Sequence, residues 1–207
     1  MEGCAGEGER DGSLVRVFAP SAGSRQGPLD GSVVLGIDPG LTRCGYAVLR
    51  AEGAVVTPLA LGVIRTPAGD PLPHRLAELQ HEVVSLIEQF RPGAVAVEQV
   101  FFQNNVRTAM SVGQASGIAL AAGAAAGCDV VQFTPSQVKD SIAGWGGADK
   151  AQVQRMVQAR LGLATAPRPA DAADAAALAL AYLASAPLRR RVAAATAVDP
   201  RADRTSA

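Results

Sequence analysis

The run Val33–Ile37, "VVLGI", is apolar throughout and then ends abruptly in Asp38-Pro39-Gly40. Five such residues bounded by a turn signal form a buried strand. A strand core does not end in a carboxylate without a partner, because a buried unpaired charge is costly. Asp38 is therefore open to three readings: a metal ligand, the start of a phosphate-cradling glycine turn, or a residue that merely closes a tight turn. The first two demand particular company elsewhere in the chain.

The order of elements around this strand is legible. A glycine-bearing turn leads to a second strand over Gly45–Arg50, and Ala54–Arg65 forms a third. Leu72, Leu76, Leu79, Val83, Leu86, Ile87 and Phe90 then recur at helical spacing. "RPG" stops that helix before a fourth strand, Ala94–Val97, which ends in Glu98. Asn104 or Asn105 caps a helix running to about Gly127, whose Gly113, Gly117 and Ala121 permit close approach of another backbone. Asp129–Phe133 is a fifth strand. Thr134 and Pro135 open a further helix, another runs from about Asp149 to Leu161, and the last starts near Asp171 and stops before Pro187.

Three strands, then helix, strand, helix, strand and helices, describe a mixed five-stranded α/β sheet with helices on both faces. The order matches an RNase H-like fold, in which the first and fourth strands lie side by side and parallel. Residues 1–31 are Gly/Ser-rich, charged and without periodicity, which predicts a disordered extension; residues 32–186 make the folded unit, and 187–207 a basic, mobile tail.

Two strand-end acids on neighbouring parallel strands share the edge where such sheets bind ligands. A second pair, Asp171 and Asp174, stands three residues apart at the start of the last helix, and so on one helix face. A helix N-terminus favours acids by itself, so this pair alone is evenly balanced between structure and function. Four converging carboxylates cannot all stay ionised without a cation. Oxygen ligands with no Cys or His beside them select Mg²⁺ or Mn²⁺, and two such ions can activate water and stabilise the leaving oxygen of a phosphodiester.

Charge and cysteine content bound the remaining classes. Nineteen basic and nineteen acidic residues cancel, but they are segregated. Residues 101–170 carry six Arg/Lys against three Asp, and residues 182–207 five Arg against two Asp. Segregated charge is compatible with a polyanionic partner. Cys4, Cys44 and Cys128 are far apart, without C-x-x-C spacing, so neither a zinc site nor a disulfide framework is supported. Free thiols, no signal-like leader and no span-length apolar stretch predict a cytoplasmic protein without a membrane association. His74 and His81 are expected on the solvated face of a helix.

Taken together, "GIDPG…GYAV", "AVEQVFF", "VGQASG", "TPSQVKDSIAGWGGADKAQVQRMV" and "PADAADAAALA" resemble the RuvC-type Holliday junction resolvases, the crossover junction endodeoxyribonucleases. The resemblance covers about Val33 to Ala184, and five motifs in order are far more specific than any one. It implies a homodimeric nuclease of RNase H-like fold with two Mg²⁺ ions per site, replaceable by Mn²⁺, that nicks two opposed strands of four-way junction DNA during recombination and repair. It also implies a branch-migration motor as a partner. By position it assigns the metal-binding, catalytic acids to Asp38, Glu98, Asp171 and Asp174. A DNA-wedging aromatic falls on Phe101 (its neighbour Phe102 being the competing choice), and phosphate contacts fall on Lys139, Lys150 and, with less support, Arg107. Trp145 departs from the family pattern and either packs on the core or lies against DNA.

Competing functions account for less of the chain. An ATP-binding protein of the actin, Hsp70 and sugar-kinase type shares the strand–Asp–x–Gly opening but needs a second domain and a second phosphate loop. A non-catalytic junction-binding module has no use for a complete set of acids. A nuclease of the same fold acting on RNA remains the nearest alternative.

Overall fold

A computed structural model describes residues 29–99 and 106–197. Five strands form one sheet in the order β3-β2-β1-β4-β5. β1 (Asp30–Asp38) pairs antiparallel with β2 (Arg43–Glu52), and β2 with β3 (Val55–Arg65). On its other side β1 is parallel to β4 (Pro92–Glu98), which is parallel to β5 (Asp129–Phe133). The central position of β1 explains its unbroken apolar run: Val33, Val34, Leu35 and Ile37 have no exposed surface. Pro58 sits in β3, an edge strand, where its missing N–H costs no ladder bond on the outer side.

Helices cover both faces. α1 (Leu72–Phe90) and α2 (Val106–Ala125) pack on the side that buries Leu35, Ile37, Tyr46 and Val97. α5 (Ala170–Ala197), with α3 (Pro135–Ala143) and α4 (Lys150–Arg160), covers the side of Val34, Ala47, Ala94 and Ala96. α3 and α4 open with capping boxes, Thr134 with Gln137 and Asp149 with Gln152, as their sequences require.

The alanine-rich start of α5 lets it sit unusually close to the sheet. Gly36 on β1 faces the α5 backbone at Ala175, and Gly45 on β2 faces the backbone carbonyl of Asp171; a Cβ at either glycine would collide with main-chain atoms. Those two glycines therefore place the first turns of α5 directly over the ends of β1 and β2.

Several boundaries differ from expectation: β2 and β4 each start two residues earlier, at Arg43 and Pro92. β1 begins at Asp30, where Asp30 pairs with Pro92 and its carboxylate accepts from Ser32. More substantially, α5 does not stop before Pro187 but continues to Ala197, so part of the expected tail is helical. An interior proline forfeits one helix hydrogen bond. Here, two residues further on, Arg189 donates to Asp129 Oδ2 at 2.5 Å and stacks 4.9 Å above the Tyr182 ring, whose hydroxyl also donates to Asp129. These contacts tie both sides of the proline to the start of β5. Residues 1–28, 100–105 and 198–207 lie outside the described part, and with them Phe101, Phe102, the Asn104/Asn105 cap and the ends of both expected extensions.

Candidate active site

Parallel pairing of β1 with β4, in register through Ile37 and Val97, brings Asp38 and Glu98 to adjacent strand ends. Asp38 is also opposite Gly45 on β2, and Gly45 is the residue on which the Asp171 backbone rests. That double constraint sets the start of α5 beside Asp38. Asp174, one turn on, faces the same edge and repels both Asp38 and Glu98. The four acids from three chain segments thus share one electrostatic site.

Their protonation records the crowding. Burial, then repulsion from Glu98, Asp174 and Asp171, pushes the Asp38 carboxyl up to about 7 against a small opposing pull from Lys150. Glu98 is raised for the same two reasons, burial first and Asp174 second. Asp171 moves the other way because Arg43 donates to it. Both Nε, at 3.2 Å, and Nη2, at 2.5 Å, reach the single oxygen Oδ2. Lys150 Nζ donates to Asp174 Oδ2 at 2.7 Å, which raises the lysine's own pKa. Its side chain remains 61% exposed, so this contact is loose and the ammonium is free to turn toward an incoming anion.

A divalent cation fits this donor set. Every ligand offered is a hard carboxylate oxygen, and the raised Asp38 and Glu98 mark surplus negative charge that a cation would relieve. Among the described residues no group of three or more His, Cys, Asp or Glu side chains is placed closely enough to hold a metal ion as it stands. Arg43 and Lys150 instead hold one oxygen each of the two α5 acids.

The other expected site residues divide. Lys150 is in the site. Lys139 is half-buried on α3 with no ion pair to the carboxylates. Arg107 stands in the first turn of α2, but its side chain lies outside the described part, as do Phe101 and Phe102. Trp145 is 54% exposed, its ring lying over Gly147, so it is not a core residue. His74 and His81 are exposed on α1. Arg43 is the residue that sequence reasoning missed. The available signal was its place two residues before the glycine that faces Asp38.

The profile of the family described as crossover junction endodeoxyribonuclease RuvC matches residues 34–182. A crossover junction endodeoxyribonuclease RuvC of Chloroflexus aggregans is 48% identical over 157 residues, which cover 76% of this chain and 96% of that protein. One from Rhodococcus opacus is 52% identical over 165 residues, or 79% and 87% of the two chains. Among solved structures, Thermus thermophilus RuvC in complex with Holliday junction substrate superposes with a TM-score of 0.73 at 40% identity, covering 76% of this chain and 96% of that one.

Proposed function

This chain belongs to the RuvC family of crossover junction endodeoxyribonucleases, and from that premise we propose that Asp38, Glu98, Asp171 and Asp174 are its catalytic centre for cutting four-way junction DNA. The observation that carries the assignment is the convergence of these acids at one sheet edge, where burial first, and then the charges of Glu98, Asp174 and Asp171, push Asp38 up to about 7. The four carboxylates would hold two Mg²⁺ ions, with Mn²⁺ able to substitute. Bound there, the ions supply Lewis-acid activation of the attacking water and charge relief at the leaving oxygen.

The chain's own groups do the rest. Asp38 and Glu98 are fixed by the two central parallel strands, and the Asp171 main chain is fixed by its seat on Gly45. Arg43 keeps Asp171 ionised and holds its Oδ2 in place. Lys150, reaching out from the first turn of α4, is placed to exchange Asp174 for a phosphate oxygen and to stabilise charge that develops there. Phe101 is assigned the wedge at the junction centre, where unstacked bases need a stacking partner. Lys139 and Arg107 are assigned phosphate contacts along the approach.

Symmetric cutting of a two-fold junction requires two sites, hence a homodimer. A groove of about 990 Å³ between α1 and α2 supports an interface there. It is lined by Leu76, Ile87, Ile118 and Ala121, among others, with Gly117 beside them. Among the described residues, no atom lies within 4 Å of where a Cβ on Gly113 or Gly117 would stand, the chain neighbours and the α2 backbone itself aside. A branch-migration motor is a further partner, and a cytoplasmic location is consistent with the described residues containing no helix long and apolar enough to cross a membrane.

Mapping both strands of a synthetic four-way junction tests the reading. The expected products are paired nicks at symmetric positions that ligase reseals. Nicks on one strand only, or preferential cutting of an RNA hairpin of the same branching, would contradict it.

A further inference from the structure

Strand alternation sets four charged side chains in a row along the α5 side of the sheet's C-terminal edge. On β1, Val34 and Gly36 face α5, and so does Asp38; on β4, Ala94 and Ala96 do, and so does Glu98. On β2 the same face carries Gly45, Ala47 and Leu49, which assigns Arg43 to it. On β3 it carries Leu61, which assigns Arg65. The row therefore reads Arg65, Arg43, Asp38, Glu98 across four adjacent strands.

Arg43 and Arg65 are direct cross-strand partners. Like charges in that relation are destabilising, and only one of the two has a carboxylate partner among the described residues. Arg43 gives its charge to Asp171, whereas Arg65 is exposed and no carboxylate among the described residues pairs with it. The backbone that carries Arg65 is nevertheless held firmly. Thr66, 3% exposed, donates from Oγ1 to the Leu41 carbonyl and accepts from Arg75 Nε, while Arg75 Nη2 donates to Thr42 at 2.7 Å. The end of β3 is thus bolted to the turn that carries Asp38 toward Arg43.

We propose that Arg65 is a phosphate-binding residue that takes a DNA backbone phosphate away from the one being cut. It lies two strands over and two residues beyond Asp38, about 12 Å by strand spacing, so it cannot serve the scissile phosphate itself. A four-acid site repels the polyanion it must receive, and a fixed, uncompensated cation on the same face offsets that repulsion and fixes where the strand lies. The contact is to phosphate, so it carries no base preference.

The inference rests on the junction-nuclease reading, and the test separates the two. Binding of labelled four-way junctions of two unrelated sequences is measured in EDTA over a series of NaCl concentrations. Arg65→Ala is expected to weaken both junctions several-fold and equally, and to reduce the slope of log K against log salt by about one. Arg65→Lys is expected to restore that slope; Arg65→Ala is not expected to lower Tm, since it relieves a like-charge pair, and neither is Arg65→Lys, which keeps an exposed cation at an exposed position. An unchanged slope, or weakening on one sequence alone, overturns the inference. Failure of the unsubstituted protein to bind either junction overturns the reading beneath it.

Discussion

Asp38→Asn is expected to reduce junction cleavage by about a thousandfold or more, the scale seen when a group acting on transition-state charge is removed, while junction binding stays within a few-fold of the unsubstituted protein. The split follows from the position of Asp38. It ends a central strand between two others, is opposite a glycine, and faces three more acids. Asparagine keeps its shape and loses its charge, so the fold and the DNA-facing cations are untouched. Single-turnover cleavage and gel-shift binding on the same junction separate the two quantities. Loss of binding in parallel with cleavage would show that Asp38 supports the fold or the DNA rather than the reaction.

The same substitution is expected to stabilise the metal-free protein at neutral and alkaline pH. Asp38 holds its proton up to about 7 when folded but releases it near 3.8 when unfolded. Between those values the native state binds more protons than the unfolded chain, so unfolding free energy falls as pH rises through the window. Glu98 contributes in the same direction. Asp171, lowered by Arg43, works oppositely, its contribution being lost only as pH falls below the ordinary carboxylate range. The Asp38 effect amounts to at most about 4 kcal/mol at 1.36 kcal/mol per pH unit, and each kcal/mol is worth about 2–4 °C at this size. In EDTA, Tm is therefore expected to drop by several degrees from about pH 5 to about pH 8, and Asp38→Asn to flatten the drop. Because carboxylate ligands bind metal deprotonated, added Mg²⁺ should raise Tm more at the higher pH. Parallel Tm profiles for the two proteins would contradict the charge-crowding account.

Much of this site is legible in the chain because it depends on strand ends. An apolar run terminating in Asp38, a second terminating in Glu98, and an order of three strands, helix and strand that matches an RNase H-like fold together predict parallel neighbours, and the ladder has that arrangement. The glycines of "GIDPG" and "CGY" become intelligible only with α5 in place, since Gly36 and Gly45 are there to admit its backbone. Arg43 and Arg65 were hidden for a different reason. Their pairing depends on an irregularity between Val48 and Leu49, where Leu49 pairs with Pro58 but Val48 with Ala60. Such an extra residue shifts the register of everything beyond it, and regular pairing would have set Ile64 opposite Arg43. Pro187 misled because propensity rules weigh the lost hydrogen bond. The compensation by Asp129 comes from a residue more than fifty positions away.

The most direct measurement is cleavage of a mobile four-way junction beside a linear duplex of the same sequence, each with Mg²⁺ and with EDTA. Two-metal hydrolysis at a branch-selective carboxylate site predicts cutting of the junction alone, in Mg²⁺ alone. Equal cutting of linear duplex, or junction cleavage that survives EDTA, would contradict the central claim.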